Sequence, residues 1–360
     1  MSNDSKLEEI RARIDEVDSK LVRLISERAR LATEVAKIKN NEDDDTYYRP
    51  EREAQVLRRV IELNEGPLSE EEIARLFREI VSACLALEQV LNIAYLGPQG
   101  TFTQSAALKH FGHSVKTIVL PSIDQVFREV ESGACHYGVV PIENSIEGIV
   151  NHTLDMLIHS SLKICGEVEL RIHQHLMSKA DNIDTIEKVY SHEQSLAQCR
   201  GWLDNHLLKA ERVPVNSNAE AAKYACEDTS SAAIAGESAA EYYGLDIVAN
   251  NIEDDPNNTT RFMVIGSKDS PPCGKDKTSL IFSTLNQPGA LHKMLACFAE
   301  HNVSLTRIES RPSRRETWDY IFFADVEGHV KDEAVAASLA QLETCAAMVK
   351  LLGSYPRAVL

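Results

Sequence analysis

Apolar residues recur along the first forty positions at spacings that alternate between four and three. The members of this apolar row are Ile10, Ile14, Val17, Leu21, Leu24, Leu31, Val35 and Ile38. Such a repeat is the seam of a long amphipathic helix, which we predict over residues 7–38. One helix cannot bury so long a seam by itself, so we expect it to pair with a second copy of the chain.

Two shorter helices are predicted after an acidic segment at residues 42–45. Pro50 suits the first turn of a helix that runs to about residue 63. Ser69 and Glu72 form a capping box, which predicts a third helix from there to about residue 91. We therefore expect residues 1–91 to form an all-α domain.

The pattern changes at residue 92, where strand-like runs begin to alternate with helical stretches. This alternation is typical of α/β layers with a largely parallel sheet, and residues 92–267 suffice for two lobes. A linker rich in proline and glycine follows. Residues 278–360 have the order β-α-β-β-α-β, which predicts an α+β, ferredoxin-like domain.

The charge balance limits the classes of partner. A net charge of −17 argues against binding of nucleic acid or an anionic membrane, and no apolar run is long enough to cross a bilayer. The polar, acidic start does not resemble a signal or transit peptide, so we expect a cytoplasmic location. The eight cysteines lack metal-ligand spacing. We predict free thiols, no metal and no cofactor.

One position of the apolar row carries a cation. Arg28 lies four residues after Leu24 and three before Leu31, where an arginine must meet an anion or pay for lost hydration. Lys39 points in almost the same direction around the helix, so both cations can reach one ligand. The alternative is a pairing of Arg28 with a core carboxylate. Arg11 points elsewhere and cannot join Arg28 within one straight helix.

Residues 7–38, the Arg52-Glu53 pair and residues 84–88 together resemble the helical chorismate mutase family, over nearly all of the first ninety residues. That family is an intertwined homodimer, and its substrate is a dicarboxylate enol ether that rearranges once its ends are held together and the breaking bond is stabilised. The resemblance implies the following site: Arg28, Lys39 and Glu88 as catalytic residues, Arg49, Arg52, Glu53 and Cys84 as substrate contacts, and Arg11 from the second copy.

Three of these positions depart from one well-known form of the family pattern. Cys84 stands where a serine can be found, and Arg49 where an aspartate can be found. Glu88 replaces a glutamine that donates to the ether oxygen. A glutamate can donate there only while it is protonated. We therefore predict a mutase activity that falls as Glu88 ionises.

Four polar segments of the second part are candidates for chemistry: GPQGTFT at 97–103, VPIENS at 140–145, SHEQS at 191–195 and TTRF at 259–262. The first would present a helix N-terminus to an anion, and it is not the G-x-G-x-x-G of a nicotinamide site. Taken singly, each is more often turn or cap chemistry than catalysis.

Together and in this order, the four segments resemble the prephenate dehydratase family across residues 92–266. The resemblance implies two α/β lobes, as in periplasmic binding proteins, with prephenate in the cleft. Thr260 would be the catalytic hydroxyl that gives a proton to the departing ring hydroxyl as carbon dioxide leaves. Arg261 either binds a carboxylate or forms a structural ion pair. The other substrate contacts would be Thr101, Asn144, Ser145, Ser191 and Gln194.

Two segments of the last part resemble the ACT regulatory domain, which in prephenate dehydratases binds phenylalanine between paired domains. The resemblance implies feedback inhibition by L-phenylalanine. The implied ligand-binding residues are Gly289, Ala290, Leu291 and His292 at the start of the first helix, Asn302 in the next turn, and Glu309, Ser310, Arg311 and Pro312 at the end of the second strand.

The order of the three parts resembles the bifunctional chorismate mutase–prephenate dehydratase family of phenylalanine biosynthesis. Two alternatives stay open: a mutase fused to an arogenate dehydratase, and a catalytically silent regulator that binds an amino acid. Thr260, and Arg28 with Lys39, disfavour the silent regulator. The missing dinucleotide motif disfavours a fused dehydrogenase.

Overall fold

The computed structural model describes residues 3–40, 48–180, 182–284, 287–312 and 320–359, and of residues 39 and 40 the backbone alone. Its first part is helical: α1 (Asn3–Asn40), α2 (Pro50–Glu62) and α3 (Glu70–Ala86). The predicted cap of α3 is present, because the Ser69 hydroxyl accepts from the Glu72 N–H at 3.2 Å. This helix ends earlier than predicted, since the chain turns after Ala86 towards the first strand of the next domain.

Most of α1 extends away from the rest of the chain. Every residue from 3 to 24 is exposed, and the members of the apolar row are 50–62% exposed, apart from Val35 at 47%. Apolar surface of this extent is unusual on a folded chain and marks an interaction face. The row is therefore left unburied by the described part of this chain.

The first α/β lobe has a mixed sheet in the order β2-β1-β3-β11-β5, with β4 paired to β3. Strands β1, β2 and β3 are parallel, whereas β11 runs antiparallel to both its neighbours. The elements are β1 (Asn92–Leu96), α4 (Phe102–Phe111), β2 (Lys116–Leu120), α5 (Ile123–Glu131), β3 (Tyr137–Asn144), β4 (Gly148–Ile149), α6 (Asn151–His159), β5 (Lys163–Arg171) and β11 (Thr259–Gly266).

The second lobe has a mixed sheet in the order β10-β6-β9-β7-β8. Its elements are β6 (His175–Ser178), a 3₁₀ turn (Ile183–Thr185), β7 (Lys188–His192), α7 (Glu193–Gln198), α8 (Arg200–His206), β8 (Glu211–Val215), α9 (Asn218–Glu227), β9 (Ser231–Ala235), α10 (Glu237–Tyr243) and β10 (Asp246–Ala249). The expectation of largely parallel sheets is wrong, because the chain crosses from the first lobe to the second and back. The returning strand β11 enters the first sheet in the opposite direction.

The last part is the predicted ferredoxin-like sandwich. Its antiparallel sheet has the order β13-β14-β12-β15, and α11 and α12 pack on one face of it. The other face packs on the first lobe, where Ile281, Phe323 and Tyr355 join its core. The elements are β12 (Asp276–Thr284), α11 (Ala290–Glu300), β13 (Leu305–Pro312), β14 (Tyr320–Glu327), α12 (Glu333–Cys345) and β15 (Met348–Pro356).

The helical part also shares a core with the first lobe. Tyr48, which precedes α2, is 4% exposed and packs with Phe111 and Tyr137 of that lobe. Its hydroxyl lies 3.0 Å from Nε2 of His110 in α4. Among the described residues, no helix combines the length and apolar character that a bilayer crossing needs.

Candidate active sites

The first candidate site is a pocket of about 220 Å³ between the C-terminal half of α1 and helices α2 and α3. It brings together residues that the sequence placed in one site although they are up to sixty positions apart. The predicted residues that line it are Arg28, Arg49, Arg52, Glu53, Cys84 and Glu88. Three of them are arginines, so the pocket suits an anion.

The Glu53 carboxylate in this pocket has a partner that the sequence analysis missed. Arg78 of α3 lies 3.2 Å from Glu53 Oε1 through its Nε, and both side chains are about nine-tenths buried. Burial raises the pKa of Glu53, while the Arg78 charge opposes that rise. Arg78 also donates to the Lys109 carbonyl of α4 at 2.7 Å. It therefore ties the pocket to the first α/β lobe.

Two predicted members of this site are not seen in the pocket. Arg11 is exposed on α1, about 25 Å along the helix from Arg28 at 1.5 Å per residue. A single chain therefore cannot bring the two together. Lys39 belongs to the last turn of α1, and its side chain lies outside the described residues.

The second candidate site is a cleft of about 290 Å³ between the two α/β lobes. Four helices begin at it, and their N-cap residues line it: Thr101 for α4, His192 for α7, Ser217 for α9 and Gly236 for α10. Helix N-termini carry partial positive charge and unpaired N–H groups. The cleft is therefore suited to an anion without any cationic side chain.

The side chains of the cleft lining are mostly neutral hydrogen-bonding groups. Among the residues that the structure describes, the lining contains no lysine and no arginine; its titratable members are His192 and Glu147. The remaining polar side chains of the lining are Thr101, Asn144, Gln174, Gln194, Ser195, Gln198, Asn216, Ser217, Asn218, Asn258 and Thr260.

Thr260 and Asn144 face each other across neighbouring strands in this cleft. Oδ1 of Asn144 accepts the backbone N–H groups of Ile146 and Glu147, each at 3.0 Å. This fixes the amide orientation, so that Nδ2 is the atom that reaches Thr260 Oγ1, at 2.8 Å. Thr260 thus accepts a hydrogen bond and keeps its own proton for another partner.

Three predicted substrate contacts have other roles in the structure. Ser145 accepts from the Thr259 N–H at 3.0 Å and so fastens the end of β11. Ser191 is fully buried and donates to the Ile234 carbonyl at 2.8 Å. Arg261 points away from the cleft, because side chains alternate along a strand. It pairs with Asp325 of β14 and lies 3.3 Å from Glu167, and these contacts favour the interpretation as a structural ion pair.

The sequence analysis missed a network of amides at the rear of the cleft. Oδ1 of Asn218 accepts from the His192 N–H at 3.1 Å, and its Nδ2 donates to Ser195 Oγ at 2.9 Å. Asn258 accepts from Asn144 at 2.8 Å and donates to Gln198 at 3.2 Å. Asn218, Asn258 and Gln198 lie outside the four motifs. The sequence shows no periodicity that distinguishes an amide of a binding site from an amide of a loop.

The predicted ligand-binding residues of the last part, apart from Asn302, lie near one end of its sheet. Asn302 precedes β13, whose first residue Leu305 pairs with Val326 at the other end of the sheet. Gly289 caps α11 with φ +78, a conformation that favours glycine, and Asn302 has φ 55. Register pairs Pro312 with Tyr320 and Tyr320 with Thr284, which places the ends of β13 and β12 on either side of β14. Ala290, Leu291 and His292 lie in the first turn of α11, and Glu309 and Ser310 lie in the second half of β13.

Arg311 differs from its predicted neighbours. Its guanidinium donates to the Asn151 carbonyl and lies 2.7 Å from the Asp155 carboxylate, both in α6 of the first lobe. A second arginine of β13, Arg307, lies 2.9 Å from the Glu143 carboxylate. These contacts attach β13 to the lobe, so Arg311 forms a contact between domains in this structure, and its role in ligand binding stays a prediction.

Comparisons with known proteins agree with the three-part organisation. Family models described as chorismate mutase type II, prephenate dehydratase and ACT domain match residues 10–89, 93–270 and 278–344. A bifunctional chorismate mutase/prephenate dehydratase of Stutzerimonas stutzeri is 55% identical over the full length of both chains, and one of Pseudomonas aeruginosa is 54% identical, also over full length. The chain belongs to the bifunctional chorismate mutase/prephenate dehydratase family.

A solved structure supports the same conclusion for the second and third domains. The prephenate dehydratase of Arthrobacter aurescens, in complex with L-Phe, is 35% identical, with a TM-score of 0.69, over 74% of this chain and 90% of that one. The predicted fold classes of all three domains are confirmed. The protein is an enzyme with a mutase domain, a dehydratase domain and an ACT domain.

Proposed function

We propose that the helical pocket converts chorismate to prephenate. The observation that carries this is the convergence of Arg28, Arg49 and Arg52 with Glu88 in one pocket. The arginines pair with the two carboxylates and hold the ends of the substrate together. Protonated Glu88 donates to the ether oxygen as the carbon–oxygen bond breaks and the carbon–carbon bond forms.

The pocket is completed by a second copy of the chain. Arg11 lies on the exposed half of α1, where the apolar row is half exposed. Antiparallel pairing of two such helices buries both rows and carries Arg11 of one copy to the pocket of the other. Lys39 is the remaining cation of this site. The assembly is thus a homodimer at least, and we place it in the cytoplasm.

The cleft converts prephenate to phenylpyruvate. The four helix N-termini and neutral amides hold the two carboxylates and the keto group. Thr260 gives its proton to the ring hydroxyl, which leaves as water while the ring carboxylate leaves as carbon dioxide and the ring becomes aromatic. A proton from solvent restores Thr260. Thr101, Asn144 and Gln194 line the space around the reacting ring.

L-Phenylalanine bound at the ACT domain inhibits the dehydratase through neighbouring residue pairs of β11 and β3 in the first sheet. Thr260 pairs in register with Asn144, and Arg261 with Glu143 forms the next pair. The side chains of that next pair are held by the ACT domain, Arg261 by Asp325 and Glu143 by Arg307. A ligand that moves β13 or β14 therefore acts directly beneath the Thr260–Asn144 pair.

One assay tests this assignment. Chorismate is added to the full chain without metal or cofactor, and prephenate and phenylpyruvate are followed with and without L-phenylalanine. We expect prephenate as a transient, phenylpyruvate as the product, and slower product formation with phenylalanine. Accumulation of prephenate alone would refute the dehydratase assignment, and rates independent of phenylalanine would refute the regulatory one.

A further inference from the structure

We propose that Asn258 is a positioning residue of the dehydratase, which fixes the Asn144 amide and, through it, the direction of the Thr260 hydroxyl. The inference rests on the proposed role of Thr260 as proton donor. It gives a function to a buried side chain that lies one position before the strand carrying Thr260.

The contacts of Asn258 form a chain from the second lobe to the proton donor. Asn258 is 1% exposed. Its Oδ1 accepts from Nδ2 of Asn144 at 2.8 Å, and the same Nδ2 donates to Thr260 Oγ1 at 2.8 Å. At its other end, Asn258 Nδ2 donates to Oε1 of Gln198 in α7 at 3.2 Å. The Asn258 side chain is therefore held from the opposite wall of the cleft.

The hydrogen count of the amide explains why this contact matters. Nδ2 of Asn144 carries two hydrogens, and Thr260 and Asn258 are their two acceptors. With both hydrogens engaged, and with Oδ1 held by two backbone N–H groups, the amide plane has one orientation. The Thr260 oxygen then receives a hydrogen bond, and its single proton turns towards the cleft.

Loss of Asn258 leaves one of these hydrogens without its acceptor. A buried donor without a partner is costly, so the Asn144 amide turns or shifts to find one. The Thr260 hydroxyl is then free to rotate away from the substrate. A misdirected proton donor slows the chemical step and leaves ground-state binding intact. The expected signature is a loss of kcat at nearly constant KM.

The test compares Asn258→Leu, Asn258→Asp and Asn258→Ala in the full-length protein, with prephenate as substrate. Leucine keeps the volume but removes the acceptor, whereas aspartate keeps an acceptor for Asn144. Asn257→Ala is the matched control, because Asn257 is the adjacent asparagine and is exposed. The mutase rate of each sample, measured on chorismate, reports the amount of folded helical domain, and circular dichroism of each sample reports the folding of the whole chain.

We expect Asn258→Leu to lower the dehydratase kcat about 100-fold with KM within about twofold of the parent. Asn258→Asp should recover most of that loss, and Asn257→Ala should equal the parent. A raised KM at unchanged kcat would make Asn258 a substrate contact and overturn the proposal, as would an unchanged kcat or no recovery with aspartate. If the leucine variant does not fold, Asn258→Ala replaces it under the same criteria.

Thr260→Val separates this proposal from the one on which it rests. If Thr260→Val keeps the parent kcat, the proton-donor assignment is wrong and Asn258 has nothing to position. If Thr260→Val loses activity and the Asn258 variants do not, only the positioning role is refuted.

Discussion

The two candidate active sites of this chain differ in the groups that each would offer to a dicarboxylate. The helical pocket, which is the proposed mutase pocket, is lined by Arg28, Arg49 and Arg52. The dehydratase cleft presents four helix N-termini and neutral amides, and its described lining lacks lysine and arginine. Both sites lie in a chain with a net charge of −17, so each must create its own local attraction for an anion.

We propose that this difference follows from what each reaction does to the carboxylates of its substrate. The rearrangement keeps both carboxylates charged, so strong ion pairs help throughout and position the reacting ends. The dehydratase reaction turns the ring carboxylate into neutral carbon dioxide. A tight ion pair would stabilise the charged ground state more than the transition state and so oppose its loss. Neutral donors hold that group without this penalty.

The largest expected loss of activity is that of the dehydratase when Thr260 is replaced, with the mutase unaffected. Thr260→Val keeps the side-chain shape but removes the proton donor, and kcat on prephenate should fall by about 100-fold to 10,000-fold. The mutase rate on chorismate should stay at the parent value. Thr259→Val is the matched control, because the Thr259 hydroxyl bonds to the Asn257 carbonyl, outside the cleft lining. Equal losses in both valine variants would contradict the assignment.

A loss of similar kind is expected for the mutase alone. Arg28→Met removes a cation from the pocket, and kcat/KM on chorismate should fall about 100-fold, or about 3 kcal/mol. Conversion of added prephenate should continue at the parent rate. Arg75→Met serves as control, since Arg75 forms an exposed ion pair with Glu72 on α3. A parallel loss of both activities in Arg28→Met would show that the two sites are not separate.

Changes at the contact between the ACT domain and the first lobe should have a smaller effect, confined to the inhibition by L-phenylalanine. Arg307→Met removes the contact to Glu143, and the concentration of L-phenylalanine for half inhibition should rise about tenfold, within the usual range of coupling energies. Arg357→Met removes an exposed ion pair within the ACT domain and should leave inhibition unchanged. Inhibition curves on prephenate measure both. An unchanged curve for Arg307→Met would exclude this route.

Ionic strength should change the KM of the mutase by a few-fold more than the KM of the dehydratase. Added salt screens the arginines of the partly open mutase pocket, so the KM for chorismate should rise severalfold between about 0.05 and 0.5 M potassium chloride. The KM for prephenate should change less, because short hydrogen bonds from helix N-termini are screened less than separated charges. A steeper salt dependence for prephenate would contradict the contrast between the sites.

Acid should destabilise the whole chain and so lower both activities. The responsible group is His110, which lies where the helical domain packs on the first lobe. Burial lowers the pKa of His110 from 6.5 to about 3, so between these values the unfolded chain binds a proton that the folded chain does not. The free energy of unfolding should therefore fall as the pH drops below about 6.5, by up to a few kcal/mol. Urea unfolding against pH measures this, and His110→Gln should flatten the curve. An equally steep curve for that variant would assign the acid sensitivity to other groups.

The candidate residues of the helical pocket were easier to recognise in the sequence than those of the cleft, for a physical reason. Arg28 interrupts an apolar row, and a charge in such a row is visible without a structure. Asn144 and Thr260 fall within motifs, but Asn218, Gln198 and Asn258 are amides that only the folding of two lobes brings together. The alternation of side chains along β11 gives the direction of Arg261, but its partner Asp325 belongs to a third domain that packs behind this strand, and no local pattern could indicate that packing. The long helix α1 was correctly predicted from the period of its apolar row alone.

The most direct test of two separate sites crosses two substrates with two variants in one assay. Phenylpyruvate is measured at neutral pH from chorismate and from prephenate, with the Arg28→Met and Thr260→Val proteins. We predict that Arg28→Met forms phenylpyruvate at the parent rate from prephenate but not from chorismate, and that Thr260→Val accumulates prephenate from chorismate. Phenylpyruvate formed at the parent rate by Thr260→Val, from either substrate, would contradict the account.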